Sequence, residues 1–416
     1  MRLPAAILLA LAFTSVRPAS ASWPPWHRPN RAPPRYPEIL VDAEWLANHR
    51  GRAGLTIVDA RSRARYEQEH VAGAIPFDAA GADPDPGALG ARLAQAGIPS
   101  EGTVVCYADT ADPCAAGRLF WLLELAGCGR ARVLNGGLEA WKKHGARTER
   151  GARPVPVARF AAAPDTSRIA DFAYVMGAFG RPGHTLMDWR SPEDWDKGHV
   201  PHSLPFLLDR LAGPGGLWRD GPAMRLVFED FGPRKRDYVD LNDEFVVFGD
   251  APPGRAPIHP YLAARVAGLA RVRCYPEGFA GWASHREAPV TRIVGAEELR
   301  EHLGTTLWER LRRIPPRQVM LFDLRGDREY AWGHVPGAVS LPSWNFERDL
   351  EATVSRRWPQ ADRARMPLVC YCYGVDCVRS RNCTTIAAQH GYLNLWWFRD
   401  GIPGWQAAGL ALEKGK

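Results

Sequence analysis

Long apolar runs are scarce in this 416-residue chain. After Ala21 no stretch approaches the roughly 20 apolar residues that a membrane-spanning helix needs, so no transmembrane helix is expected there. Runs of Lys and Arg are also missing. The net charge of +7 is dispersed along the chain, which suits small anionic ligands and gives a nucleic-acid backbone nothing to follow. Histidines at metal-ligand spacing from the cysteines are lacking too, His390 being the nearest, so no metal site and no cofactor are expected. With 46% apolar and 24% charged residues the chain is not a disordered one, and its length implies several domains.

What the N-terminus does contain is a leader pattern. Met1-Arg2 is followed by the apolar stretch Leu3 to Val16 and by Ala19-Ser20-Ala21, an A-x-A cleavage site. Residues 1–21 are therefore expected to be a cleaved signal peptide, with periplasmic export if the source is bacterial and no membrane attachment afterwards. Residues 22–36 are rich in Pro and Arg and read as an extended linker.

Two signatures recur three times in register. IVDARSRARYEQEHVAGAIPF starts at Ile57, LMDWRSPEDWDKGHVPHSLPF at Leu186 and LFDLRGDREYAWGHVPGAVSLP at Leu321. The Asp-to-His interval is constant: 59 to 70, 188 to 199 and 323 to 334. A closing Gly-φ-x-x-Trp follows, ending at Trp141, Trp282 and Trp405. From His to Trp is 71 residues in the first and third units and 83 in the second, whose extra length lies around LVFEDFGPRKRDYVDLND. Periods of 129 and 135 residues are those of domains, not of a solenoid. Within each unit short β-rich runs (TVVCY, EFVVF, PLVCY) alternate with helical stretches. That pattern predicts an α/β fold with a mostly parallel sheet and helices on both faces. The expected domains are 37–150, 165–290 and 294–416, separated by ARPVPVARFAAAPDT and EAPVTRIVG.

Asp-x-Arg…His-Val at the start of each unit and Gly-φ-x-x-Trp at its end resemble the rhodanese sulfurtransferase superfamily, across nearly all of the chain after the leader. Three such units behind a signal peptide are similar to periplasmic three-domain thiosulfate/mercaptopyruvate sulfurtransferase-like proteins. The resemblance implies a cysteine that carries sulfane sulfur as a persulfide, an anionic sulfur donor such as thiosulfate, and a thiol, cyanide-like or protein acceptor. It also implies that Asp59, Arg61, His70 and their counterparts are architectural, and that the nucleophile heads the loop after the fourth strand.

That position differs between the units. After TVVCY comes Ala108-Asp109, with Cys106 inside the strand and Cys114 further on. After EFVVF comes Gly249-Asp250, with no cysteine. Only PLVCY is followed by one: Cys372 opens CYGVDCVRSRNCTT, while Cys370 falls on the strand's other face. The first two units are therefore expected to be inactive and Cys372 to be the nucleophile. Cys372 lies 19 residues before Gly391, and Cys377 only 14. The second cysteine departs from the usual single-thiol loop and makes Cys377 a candidate resolving or auxiliary thiol. A phosphatase-like Cys-x5-Arg does not fit, because Val378 occupies the Arg position. Arg379, Arg381 and Arg328 are the candidate anion-binding residues. Two cysteines in one loop of an exported protein also leave open a non-catalytic or redox binding module with a Cys372–Cys377 disulfide, or a pairing of Cys377 with Cys383.

Overall fold

A computed structural model of the protein describes residues 38–109, 114–206, 208–211, 213, 217–229, 239–249, 258–304 and 319–415. The leader and the Pro/Arg-rich segment 22–36 lie outside these residues, as do 230–238 of the second unit's insertion.

Each repeat folds around its own sheet. The first unit contributes β1 (Leu40–Val41), β2 (Leu55–Asp59), β3 (His70–Val71), β4 (Ile75–Pro76), β5 (Thr103–Tyr107), β6 (Ala131–Leu134) and β7 (Thr148–Glu149). Its parallel sheet has the order β1-β6-β5-β2-β4, and β3 pairs with β7 in a separate antiparallel ladder. The second unit has β8 (His184–Asp188), β9 (Leu204–Pro205), β10 (Glu244–Phe248) and β11 (Val272–Cys274), ordered β11-β10-β8-β9. The third has β12 (Val290–Ile293), β13 (Met320–Asp323), β14 (Val339–Ser340), β15 (Leu368–Tyr371) and β16 (Asn394–Phe398), ordered β12-β16-β15-β13-β14. All three sheets are parallel.

Both faces of these strands are covered, which is why they read as continuous apolar runs. In β5, Val104 and Cys106 join one hydrophobic cluster while Val105 and Tyr107 join another. In β15, Leu368 and Cys370 face one cluster, Val369 and Tyr371 the other. Two of the clusters cross unit boundaries. One runs from the first unit into the second, where Phe120 meets Tyr261 and Glu124 accepts from Arg265 at 2.9 Å and from the Tyr261 hydroxyl at 2.7 Å. The other runs from the second unit into the third and includes Phe179, Cys383 and Ala387.

The repeated signatures are closed hydrogen-bond networks. Asp59, Asp188 and Asp323 are fully buried at strand ends, each gripped by the Arg two residues on. The same guanidinium reaches the carbonyl of Glu69, Gly198 or Gly333, at the entrance to the His-Val pair of its repeat. Each of those His residues stacks on the aromatic four positions earlier and bonds its carbonyl through Nδ1. The closing tryptophans bury their rings and donate their indole N–H to Arg147, Pro289 and Ala411 carbonyls. A buried charge with this many partners offsets its desolvation, and the Asp-x-Arg spacing is the sequence trace of that requirement.

Two expected linkers turn out to be structured. EAPVTRIVG contains β12, so the third sheet begins at Val290 rather than at residue 294. Thr291 also makes an antiparallel bridge to His199, so one short segment closes the second unit and opens the third. ARPVPVARFAAAPDT lies across the first unit: Ala158 donates to the Ala94 carbonyl, Arg159 accepts from Ser100 N–H, and Phe160 packs over Gly90. EAPVTRIVG is thus held by backbone pairing at a sheet edge, and ARPVPVARFAAAPDT by scattered backbone bonds to a helix end and the turn after it.

One residue breaks the repeat. His202 stands where the other units have Gly73 and Gly337, and it is the only non-glycine at positive φ (65°) among the described residues. Its Nδ1 lies 3.3 Å from Thr385 Oγ1 in the third unit. Left-handed backbone costs about 1–2 kcal/mol for an L-residue with a side chain. The bond to Thr385 returns about 1 kcal/mol. Urea unfolding should therefore find His202→Gly within about 1 kcal/mol of wild type and His202→Ala about 1 kcal/mol or more below the glycine variant. Equal stability of the two variants would refute the strain.

Candidate active site in the third unit

β15 ends at Tyr371, whose hydroxyl donates to Asp323 Oδ2 at 2.7 Å and accepts the Val335 N–H at 3.1 Å. The Asp-x-Arg network thus anchors the strand end from which the cysteine loop departs. The loop runs over residues 372–378 and enters the helix Arg379–Gln389. Cys377 N–H bonds the Gly374 carbonyl at 2.9 Å, and the Cys372 carbonyl accepts from Ile402 N–H at 3.4 Å. Tyr373 extends outward and donates its hydroxyl to Glu329 at 2.9 Å.

Within this loop the two thiols have unlike surroundings. Cys372 is only 1% exposed. Its sulfur lies 3.2 Å from Ser380 Oγ and 3.6 Å from the Cys377 carbonyl. The Trp397 indole N–H donates to Ser380 Oγ at 2.9 Å, which leaves the serine hydroxyl proton free to point at the Cys372 sulfur. Cys377 is half-buried and lies nearer the solvent. The neighbouring Cys372 thiol is the main influence drawing Cys377 down to about 6; burial opposes it, and the N–H groups of Arg379 and Tyr373 and then the Arg379 charge add smaller pulls downward. The neighbouring Cys377, then burial, pushes Cys372 up. Of the two thiols, Cys377 is therefore the one that more readily becomes a thiolate.

Backbone amides reach both thiols, Ser380 N–H at Cys372 and the Tyr373 and Arg379 N–H groups at Cys377, and exposure is what sets the two sulfurs apart. The cause is packing at a distance: Ser380 and Trp397 come from a helix and a strand beyond the loop, and they cover Cys372 from within. Both had been passed over, although Ser380 stands three residues after Cys377 in the quoted motif. Glu329 and Tyr373 were also missed as loop contacts. Of the candidate anion-binding residues, only Arg379 is brought to the thiols, with its guanidinium 5.9 Å from the centre of the Tyr373 ring. Arg381 lines a cavity of about 270 Å³ together with Gly180, His184, His202 and Asp243 of the second unit. Arg328 is exposed on the helix Asp327–Trp332, and its neighbour Glu329 makes the loop contact instead. Trp332 and Trp344 are 74% and 64% exposed, so neither is a core residue.

Elsewhere the thiols have other settings. Cys106 and Cys370 are buried in strands, and burial pushes both far up. Cys114 begins the helix Cys114–Leu125, and β10 leads into Gly249. All eight cysteines are free thiols. Among the described residues no group of three or more His, Cys, Asp or Glu side chains is placed to hold a metal ion, and no helix is long and apolar enough to cross a membrane.

Comparison with known proteins agrees with this architecture. The rhodanese-like domain family matches residues 42–144, 172–285 and 303–408. A thiosulfate sulfurtransferase of Corynebacterium glutamicum is 29% identical over 276 residues, 61% of this chain and 91% of the relative. One from Pseudomonas aeruginosa is 28% identical over 273 residues, 61% of this chain and 96% of its own. Among solved structures, the 3-mercaptopyruvate sulfurtransferase SseA of Escherichia coli superposes with a TM-score of 0.51 at 22% identity, covering 58% of this chain and 99% of SseA. YnjE superposes with a TM-score of 0.53 at 21% identity over 62% of this chain and 70% of that one. Three matches in register, three parallel sheets of one design and a thiol loop at the end of β15 place the chain in the rhodanese-like domain family.

Proposed function

We propose that sulfane sulfur enters this protein at Cys377, with Cys372 as the buried partner thiol, and that the donor is thiosulfate or a related anion. In class the chain is a rhodanese-type sulfurtransferase. The observation that carries the finer reading is the unequal exposure of the two sulfurs: Cys377 is half-buried and met by the Tyr373 and Arg379 N–H groups, whereas Cys372, met by the Ser380 N–H, is covered. The Cys377 thiolate attacks the outer sulfur of thiosulfate, the S–S bond of the donor breaks, and sulfite departs with its electron pair. Arg379 attracts the dianion, and the N–H groups of Tyr373 and Arg379 hold the charge on the resulting persulfide. A thiol or cyanide-like acceptor then takes the outer sulfur and returns the Cys377 thiolate. The leader pattern of residues 1–21 supports the further proposal that this happens after export.

In Cys372→Ser, where no second thiol of the loop can displace the carried sulfur, incubation with thiosulfate should add about 32 Da, one sulfur atom, on the peptide holding Cys377. Replacing Cys377 by Ser should abolish that gain. A persulfide mapped to Cys372, or one that survives Cys377→Ser, reverses the assignment.

The pH profile follows from the same geometry. With Cys377 drawn down to about 6, its thiolate predominates above that pH and is lost as the pH falls through it. Carbamidomethylation of Cys377 should therefore level off above about pH 7 and be roughly tenfold slower at pH 5. A rate still climbing steeply between pH 8 and 9 would show an ordinary thiol instead.

A further inference from the structure

We infer that the Cys372–Cys377 pair gives this site a second activity: without an acceptor thiol, Cys372 attacks the sulfur of Cys377, closes a disulfide and expels the carried sulfur as hydrosulfide. The inference rests on the reading that the persulfide forms on Cys377.

The geometry is specific. Cys372 Sγ lies 3.6 Å from the Cys377 carbonyl oxygen, which brings the two thiols of the loop beside each other. Ser380, itself held by the Trp397 indole N–H, is hydrogen-bonded to the Cys372 sulfur at 3.2 Å and so keeps that thiol in place within the loop. The other nearby thiols are out of play: Cys383 is buried and pushed up to about 12, and Cys370 is buried on its strand.

The step balances without an added oxidant. Before it, Cys377 carries an outer sulfur with a negative charge and Cys372 carries a proton. A bond forms between Cys372 Sγ and Cys377 Sγ, and the bond from Cys377 Sγ to the outer sulfur breaks. The outer sulfur leaves with that electron pair and takes the Cys372 proton, departing as HS⁻. The sulfane sulfur is reduced and the two cysteine sulfurs are oxidised. The Cys372 proton passes to the departing sulfur as the attack proceeds, so that the attacking group has thiolate character and the leaving group is HS⁻ rather than S²⁻. The resting dithiol is regenerated by a dithiol reductant, which takes up the disulfide by thiol–disulfide exchange. Where a single-thiol loop stops at the persulfide, this loop has an internal route to sulfide.

The test is a single turnover of the full-length protein, fully reduced and freed of small thiols, with one equivalent of thiosulfate. About one equivalent of sulfide should appear, and the intact mass should fall by about 2 Da as the two thiol hydrogens are lost. A non-reducing digest should join the Cys372 and Cys377 peptides, and dithiothreitol should restore both thiols. In Cys372→Ser the gain of about 32 Da should persist and sulfide release should drop at least tenfold. Wild-type protein that keeps the added sulfur and both thiols with no sulfide overturns the inference and leaves the sulfurtransferase reading intact. A digest joining Cys377 to Cys383 overturns it as well. Absence of both added sulfur and sulfide in wild type overturns the persulfide reading itself. The digest and sulfide assay on wild type decide the matter even if Cys372→Ser fails to fold.

Discussion

Asp323→Ala is expected to cost the third unit about 3–5 kcal/mol, the range for removing one partner of a buried ion pair. Asp323 is fully buried and accepts from Arg325 Nη2 at 2.7 Å, from the Arg325 backbone N–H at 3.0 Å and from the Tyr371 hydroxyl at 2.7 Å. Without the carboxylate the Arg325 guanidinium stays buried with the Gly333 carbonyl as its remaining strong contact, and Tyr371 loses its acceptor. The damage should extend beyond stability, because Tyr371 is the last residue before the cysteine loop. Asp323→Asn should be milder, since an amide oxygen still accepts from Tyr371. Urea unfolding followed by a probe in the third unit measures this, and a loss below about 1 kcal/mol for the alanine variant would refute the account.

Gly401→Ala is expected to slow alkylation of Cys377 at pH 7 by at least tenfold. Gly401 has φ 54°, and a Cβ there would lie 2.3 Å from the Cys372 carbonyl oxygen and 2.8 Å from Gly374 N. Both neighbours are backbone atoms of the cysteine loop, so the loop has to move, and the N–H groups that hold Cys377 as a thiolate move with it. Strain at such a position is worth about 1–3 kcal/mol. Gly137 offers the control. It occupies the same place in the first unit, with φ 57° and the Ala108 carbonyl oxygen 2.2 Å from the position of a Cβ. Gly137→Ala should cost similar stability and leave Cys377 reactivity unchanged. Equal alkylation rates in wild type and Gly401→Ala would show that the loop does not depend on this close approach.

The sequence disclosed the repeat because its parts are local. Asp and Arg two residues apart reach each other from one strand end, as Asp323 and Arg325 do. A histidine and an aromatic four residues apart stack within one turn, as His334 and Tyr330 do. Such pairs leave fixed spacings, and three copies made them unmistakable. The strand ends were legible for a similar reason: PLVCY is buried on both sides and stops where the loop begins. From these followed the family, the three sheets and the loop that carries the chemistry.

Contacts between distant elements left no spacing to read. Val290–Ile293 looked like a linker because four residues in an edge strand show no period, and their partners Asn394–Phe398 lie a whole domain away. Arg381 was assigned to the thiols by proximity in sequence, but the helix turns its side chain to the cavity shared with His202. The thiol assignment has the same history. Position after the strand pointed to Cys372, and the chain alone does determine that two thiols share one loop in the third unit and in no other. Which of them meets solvent was decided by Ser380, Trp397 and Gly401, brought together only by tertiary packing, because the burial of one sulfur is a property of the assembled sheet and helix rather than of the loop's own residues.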